Sequence, residues 1–215
     1  MQYIKDNMFV DDERKIIFIH IAKTGGSSIH VALKDAMRWP MGDPRRNDPL
    51  PPKHHISVID LIRENPRYAG YYKFAVVREP LDRLRSAYTD FLTDSGRSNY
   101  HMSLREYDNF EHFCQNFTST QWPQDPHFRP QHEMVCDSNG NIIVDLCRYE
   151  NLTDDLIRVG DKLGFSSNPF SNNNLGHHRN YKARRESIDL KLTNETEARI
   201  KDFFAKDYEI FGYTP

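Results

Sequence analysis

The chain has 215 residues, with 29 basic and 31 acidic side chains, so its formal net charge at pH 7 is −2. A chain of this length can bury a full hydrophobic core, and we predict one domain over residues 1–215. The balanced charge gives no overall attraction to nucleic acid or to an anionic membrane, so any anion site must be local. No window approaches the roughly 20 apolar residues that span a bilayer, and residues 1–7 precede no apolar signal region.

The three cysteines, Cys114, Cys136 and Cys147, are odd in number and lack the C-x-x-C spacing of a structural zinc site. The sequence therefore predicts neither a disulfide framework nor a structural zinc ion. A reducing cytoplasm is the simplest location for such a chain. We expect a cytoplasmic protein without a membrane span and without a nucleic-acid partner.

The first part of the chain predicts two strands, each followed by a helix. Arg14–Ile21 is a continuous apolar run, typical of a strand buried on both faces of a parallel sheet. A helix over Ser27–Trp39 follows, and the prolines of residues 40–52 predict a loop. A short helix over Val58–Glu64 leads to a second strand, Tyr72–Val77.

A helix begins near Pro80, which suits a first helical turn, and its apolar residues repeat at helical spacing. The later patterns predict a helix over Leu104–Phe117, a polar loop over Thr118–Pro130, a strand over Ile142–Tyr149, a helix over Asn151–Leu163, a basic loop over Asn172–Arg185, a helix over Asn194–Lys206 and an aromatic tail over Tyr208–Tyr213. The alternation of strands and helices predicts an α/β fold. We expect a central parallel sheet flanked by helices, with ligands at the carboxyl ends of its strands.

A glycine-rich turn joins the first strand to its helix, with the sequence Lys23-Thr24-Gly25-Gly26-Ser27-Ser28. The first amides of a helix point outward unpaired at its positive end, and glycines let an anion approach closely. The lysine adds a full charge, and the three hydroxyls add donors, so these six residues predict a site for a phosphate-like group. The alternative is an ordinary strand-to-helix connection. The lysine precedes the glycines, the reverse of the ATP-binding pattern G-x-x-x-x-G-K-[ST], which argues against an ATPase.

A second candidate anion site follows the second strand. Arg78 stands at the strand exit, and Ser86 comes eight positions later, about two turns into the helix. Two such sites at neighbouring strand ends suit a doubly phosphorylated nucleotide. The alternative for Arg78 is an ion pair with Glu79 or Asp82.

These two motifs resemble those of the sulfotransferases that use 3′-phosphoadenosine 5′-phosphosulfate (PAPS), in particular the carbohydrate branch with the heparan sulfate 2-O- and chondroitin/dermatan sulfotransferases. Residues 19–28 look like the family's loop for the 5′-phosphosulfate, and residues 74–88 look like its 3′-phosphate motif. Weaker likeness runs through residues 125–131, 148–152 and 207–213. The resemblance implies a P-loop-like nucleotide-binding fold, PAPS as the sulfate donor and 3′-phosphoadenosine 5′-phosphate (PAP) as the product.

The chain departs from the family pattern in two ways. Ala22 stands where relatives often have proline, and the membrane anchor of the Golgi enzymes is missing. The second difference leads us to expect a bacterial-type soluble member of the family.

A pair of histidines lies between the two motifs, in a segment that resembles the one bearing the catalytic histidine of heparan sulfate 2-O-sulfotransferases. Matching the run that follows, apolar-Ser-apolar-apolar-Asp, places His55 at the base position, with His54 as the alternative or as an acceptor-binding residue. A neutral imidazole can take the proton of an acceptor hydroxyl near neutral pH.

The resemblance implies an in-line attack of an alcohol oxygen on the sulfuryl group. His55 would remove the hydroxyl proton, and Lys23 with the helix start would stabilise the charge on the departing 5′-phosphate. No metal is predicted, because no metal-ligand spacing is present.

Two loops supply the remaining candidates. Arg179 lies in the basic loop, which either is solvated or closes over the nucleotide as the family's late basic loop does. His127 and Arg129 lie in a loop that would line the acceptor cleft, although His127 equally suits a helix cap or a packing gap.

Several functions stay open at this stage. A carbohydrate acceptor is favoured by the resemblance, and a small-molecule alcohol or secondary metabolite is the alternative. A nucleotide kinase or P-loop NTPase would need the glycine-before-lysine order and a magnesium-binding acid after a strand, and neither is evident. A non-catalytic nucleotide-binding module would keep Lys23 and Arg78 without depending on His55. The sequence does not indicate an oligomeric state.

Overall fold

The computed structural model describes residues 9–36, 55–93, 103–165, 168–170 and 188–215. The strands of this part of the chain are β1 (Phe9–Asp11), β2 (Ile16–Ile19), β3 (Tyr72–Val77) and β4 (Asp145–Arg148). Its α-helices are α1 (Gly26–Ala36), α2 (Val58–Glu64), α3 (Pro80–Thr93), α4 (Phe110–Asn116), α5 (His132–Val135), α6 (Leu152–Lys162), α7 (Asn194–Phe203) and α8 (Ala205–Phe211). Short 3₁₀ turns cover Pro66–Gly70, Phe117–Ser119, Trp122–Gln124 and Tyr149–Asn151.

The four strands form one sheet in the order β1-β2-β3-β4. β2, β3 and β4 run parallel, with Phe18 opposite Phe74 and Ala75 opposite Leu146, so their carboxyl ends share one edge. The predicted α/β fold with a helix-flanked sheet is confirmed. The prediction of a parallel sheet needs correction, because β1 pairs antiparallel with β2 and makes the sheet mixed. A strand of three residues is too short for periodicity to reveal.

By its internal contacts the chain divides into two compact units. The first unit contains residues 1–77 and 133–178, and the second contains residues 78–132 and 179–215. The prediction of one domain over residues 1–215 stays a prediction.

The two units have different cores. Aliphatic side chains dominate the first, where Ile29 and Leu33 of α1 and Leu156 of α6 pack in one cluster with sheet residues such as Val76. The second is mainly aromatic, and its fully buried rings include those of Tyr88, Phe91, Phe110, Phe113, Phe117, Phe128, Phe204 and Tyr208. Such rings bury large apolar areas and meet edge to face, as Phe113 and Phe117 do.

The chain end was predicted as an aromatic tail, and this prediction is wrong, because residues 205–211 form helix α8. Tyr208 and Phe211 are three residues apart, so both lie on the buried side of that helix. Gly212 ends the helix in a left-handed conformation (φ 64°). None of the helices in the described ranges has both the length and the apolar character that a bilayer crossing requires.

Other predicted boundaries also shift. The predicted strand over residues 142–149 is shortened to β4, and the predicted helix over residues 104–117 begins at Phe110, where the Asn109 side chain accepts from the His112 amide. The polar loop over residues 118–130 contains two of the 3₁₀ turns. In contrast, α2 and β3 have the predicted bounds, and Ser57 caps α2 by accepting from the Asp60 amide.

Candidate functional site

The glycine-rich turn of the first unit connects β2 to α1. Two of its residues, Lys23 (φ 69°) and Gly25 (φ 88°), lie in the left-handed region, which is unusual and costly for a lysine. The Gly25 carbonyl accepts from the amides of Ser28 (3.1 Å) and Ile29 (3.3 Å) and so begins the helix. No acidic residue stands in the first turn of α1. No carboxylate of the helix's own first turn therefore neutralises the positive end of α1.

Packing explains both glycines of this turn. A Cβ atom on Gly26 would lie 2.0 Å from Nε2 of His20, whose ring packs against the turn. A Cβ on Gly25 would approach Leu152 Cδ2 to 3.3 Å, and its φ of 88° also disfavours any side chain. The packing around the turn is therefore enough by itself to require both glycines.

The three hydroxyls of the turn have different environments. Thr24 is fully buried, and its Oγ1 donates to the Ile21 carbonyl at 2.9 Å. A hydroxyl has a single proton to donate, so Thr24 uses its proton to brace the turn. Ser27 is exposed, whereas Ser28 is buried. Ser27 is therefore the side-chain donor most accessible from solvent, next to the half-buried Lys23.

His55 lies beside this turn, in the same unit. The residue is 8% exposed, and its Nδ1 lies 2.8 Å from the carbonyl oxygen of His20. A carbonyl oxygen only accepts, so in the neutral ring Nδ1 carries the proton and Nε2 carries the lone pair. Nε2 is therefore the nitrogen of His55 that can take up a proton.

His55 belongs to a cluster of three buried histidines, which the sequence analysis missed. The His20 ring centroid lies 4.8 Å from that of His55 and 5.2 Å from that of His30. His20 and His30 are both under a tenth exposed, and Phe18 packs on the pair. The sequence carried a signal, because His30 lies three residues before the apolar Leu33 in the predicted helix and so shares a face with it.

Arg78 is the residue after β3 and belongs to the second unit. Its side chain is buried, and Nε donates to Asp82 Oδ2 at 2.8 Å. The ion pair that was the alternative for Arg78 is therefore present, with Asp82 as the partner. A guanidinium has five N–H donors, so this pair and a phosphate contact are compatible. Ser86 is buried two turns into the helix.

Arg83 is a second buried arginine of this unit, and the sequence analysis gave it no role. It donates to the carbonyls of His127 (3.0 Å) and Phe128 (3.4 Å) and to that of Arg129. Burial lowers the pKa of Arg83 to about 10, and the charges of Arg78 and Arg129 also lower it, whereas Asp207 raises it. Three positive charges therefore lie close together in the second unit.

The two described residues predicted to line the cleft for the sulfate acceptor, His127 and Arg129, make contacts with other residues of the protein. Nδ1 of His127 lies 2.9 Å from Asp125 Oδ1, and its ring packs on Phe91 at 4.9 Å, which fits the gap-filling alternative. Arg129 is half-buried. A role of either residue toward an acceptor stays a prediction. His54 and Arg179 lie outside the described residues.

No cluster of three or more His, Cys, Asp or Glu side chains suited to a metal ion occurs within the described ranges. Cys114, Cys136 and Cys147 are buried with free thiols. Burial raises the pKa of Cys147 to about 12, so this thiol stays protonated and unreactive near neutral pH.

Comparison with known proteins gave one result. The family model described as the sulfotransferase family matches residues 6–214, nearly the whole chain. The comparisons with curated proteins and with solved structures gave no match. The matched range includes both candidate anion motifs and His55.

Proposed function

Because the chain belongs to the sulfotransferase family, we propose that it transfers a sulfuryl group from PAPS to the hydroxyl of a carbohydrate acceptor. The observation that carries the proposal is the double role of His20. Its carbonyl accepts from Nδ1 of His55, and its ring packs where a side chain on Gly26 would lie. The proposed base and the proposed donor loop are thus linked by one residue.

The residues of the donor loop fit the 5′-phosphosulfate of PAPS. Lys23 and the outward-facing amides at the start of α1 supply positive potential, in a turn where the side-chain space of Gly25 and Gly26 is taken by Leu152 and His20. Arg78 and Ser86 would hold the 3′-phosphate. PAPS supplies a sulfuryl group that is activated by its bond to a phosphate.

In the proposed reaction, His55 Nε2 takes the proton of the acceptor hydroxyl while the hydroxyl oxygen forms a bond to sulfur. The bond between sulfur and the bridging oxygen breaks, and its electron pair stays on the 5′-phosphate. Lys23 and the amides at the start of α1 stabilise this charge. The products are a sulfate ester, PAP and a proton on His55.

The choice of a carbohydrate acceptor rests on the resemblance of the motifs. A small alcohol would undergo the same chemistry, so the acceptor needs a direct test. Labelled PAPS should be offered with a panel of glycans and small alcohols, and with labelled ATP in parallel. Transfer to glycans supports the proposal, and transfer only to small alcohols would replace the acceptor class.

His55→Ala tests the catalytic part of the proposal. Removal of a general base lowers a rate by about 10²–10⁴-fold, while PAP binding, measured by calorimetry, should persist. Ile59→Ala on the half-buried face of α2 is a matched truncation, and it should keep most of the transfer rate. Unchanged transfer by His55→Ala would remove this residue from the mechanism, and PAP binding without any transfer would indicate a non-catalytic module.

A further inference from the structure

The peptide groups on both sides of Arg78 are held by one buried side chain, that of Gln131. The Arg78 amide donates to Gln131 Oε1 at 3.0 Å, and Gln131 Nε2 donates to the Arg78 carbonyl at 2.7 Å. Gln131 is fully buried, although it lies 53 residues away in the sequence. A side-chain amide can both donate and accept, so this pair satisfies two buried backbone groups at once.

Gln131 is held in turn by Asp207 of helix α8. The amides of Gln131 and His132 donate to the two carboxylate oxygens at 2.7 and 2.9 Å, and His132 Nδ1 donates to Oδ1 at 2.7 Å. Asp207 is fully buried. A buried carboxylate is costly unless it is well bonded, and three N–H donors compensate for that cost.

The residue after Asp207 holds the residue after Arg78. The Tyr208 hydroxyl donates to Glu79, and burial together with this bond raises the pKa of Tyr208. Glu79 also accepts from the Leu81 amide (3.1 Å) and the Asp82 amide, so it caps α3. Two consecutive residues of α8 therefore fix two consecutive residues of the turn.

We propose that Asp207 and Gln131 are positioning residues that hold Arg78 for the 3′-phosphate of the donor, an inference that rests on the proposed function. The Arg78 guanidinium is buried and paired with Asp82, so it has little freedom to adjust. Its position therefore follows from its backbone, and displacements near 1 Å are enough to weaken a charge-assisted contact. The network thereby sets the preference for nucleotides that carry a 3′-phosphate.

The test compares the affinities for PAP and for adenosine 5′-monophosphate, which lacks the 3′-phosphate. Asp207→Asn removes an acceptor from a site with three donors, and Gln131→Met keeps the size of the side chain but has no amide. We expect the ratio of the affinity for PAP to the affinity for the monophosphate to fall at least about tenfold in both variants, while the affinity for the monophosphate stays unchanged. Glu209→Gln makes a similar change on the exposed side of α8 and should keep the preference.

A double variant distinguishes positioning from a general loss of structure. With Arg78→Ala already present, Asp207→Asn should not lower the preference further, because the group that it positions is gone. An additional loss in that background, or an unchanged preference in both single variants, would overturn the positioning proposal alone. If the protein without substitutions binds PAP no more tightly than adenosine 5′-monophosphate, the proposed 3′-phosphate site is overturned as well. Thermal melting shows whether Asp207→Asn or Gln131→Met fails to fold. The variant that does fold then tests the positioning proposal.

Discussion

The two candidate anion sites, the turn after β2 and the turn after β3, are built by opposite means. The first depends on residues without a side chain, because Leu152 and His20 crowd the positions where Cβ atoms of residues 25 and 26 would lie. The second is shaped by polar side chains, because Gln131 and Asp207 hold the backbone of Arg78.

The difference follows from the source of positive charge at each site. In the first turn part of it comes from the start of a helix, which is backbone and needs close approach. In the second it comes from a guanidinium, which must be aimed by its surroundings. We therefore expect steric changes to damage the first site most, and changes in hydrogen bonding to damage the second.

Among changes in the two turns, the largest effect is expected from Gly26→Ala. The new methyl group would lie 2.0 Å from Nε2 of His20, so either the turn or the ring beside His55 must move. We expect the rate of sulfuryl transfer to fall by about 10²-fold or more. Gly70→Ala in the same unit is the matched control, because nothing lies within 4 Å of its added methyl group. Equal rates for these two variants would show that the packing of the first turn does not matter.

Arg78→Lys should have a smaller and more selective effect. Lysine keeps the charge but loses the planar group that can bind Asp82 and a phosphate together. We expect the KM for PAPS to rise about tenfold, with a smaller change in kcat. Steady-state kinetics at several PAPS concentrations measure this, and Arg63→Lys on the exposed face of α2 is the control. A change in kcat alone would argue against donor binding by Arg78.

Thr24→Val separates a bracing role from a ligand role within the first turn. Valine keeps the shape but leaves the buried Ile21 carbonyl without its donor, which should cost about 1–2 kcal/mol in the free energy of unfolding. Thr24→Ser keeps the hydroxyl and should recover most of that loss. Urea unfolding measures both variants. A rise in the KM for PAPS without a loss of stability would instead make the hydroxyl a donor to the ligand.

The smallest effect concerns the acid stability that Asp145 contributes. This residue of the first unit lies outside both turns and forms ion pairs with Arg158 and Lys162. Burial would raise the pKa of this carboxylate, but hydrogen bonds from Lys162, Tyr72 and Arg158 hold it at about 2, below the ordinary value of 3.8. A lowered pKa stabilises the folded protein above pH 4, and this contribution is lost as the pH falls toward 2. Because the pair is partly solvated, we expect about 1 kcal/mol.

Urea unfolding at pH 6 and at pH 2.5 tests this expectation. Between these two pH values, the free energy of unfolding of Asp145→Asn should fall by about 1 kcal/mol less than that of the protein without the substitution. Asp154→Asn changes an exposed carboxylate of α6 and should leave the acid sensitivity unchanged. The same acid sensitivity in the Asp145 variant and the natural protein would refute the role of this ion pair.

Prediction from sequence worked best where the signal is local. The limits of α2 and β3 were predicted correctly, because a capping serine and a continuous apolar run act over a few residues. β1 and helix α8 were missed, since a three-residue strand and a short aromatic segment are stabilised by partners elsewhere in the chain. Motifs in the sequence point to the candidate site residues Lys23, Arg78 and His55, whose roles stay predictions, whereas Gln131 and Asp207 carry no motif of their own.

The sequence by itself determined the α/β class, the two strand-to-helix junctions and the residue types that suit an anion and a proton acceptor. Only the tertiary structure decided that His20 requires Gly26, that His55 keeps its lone pair on Nε2, and that Arg78 pairs with Asp82. The physical reason is range. Propensity and periodicity act between neighbours in sequence, whereas burial and hydrogen-bond partners join residues such as Gln131 and Asp207, 76 positions apart.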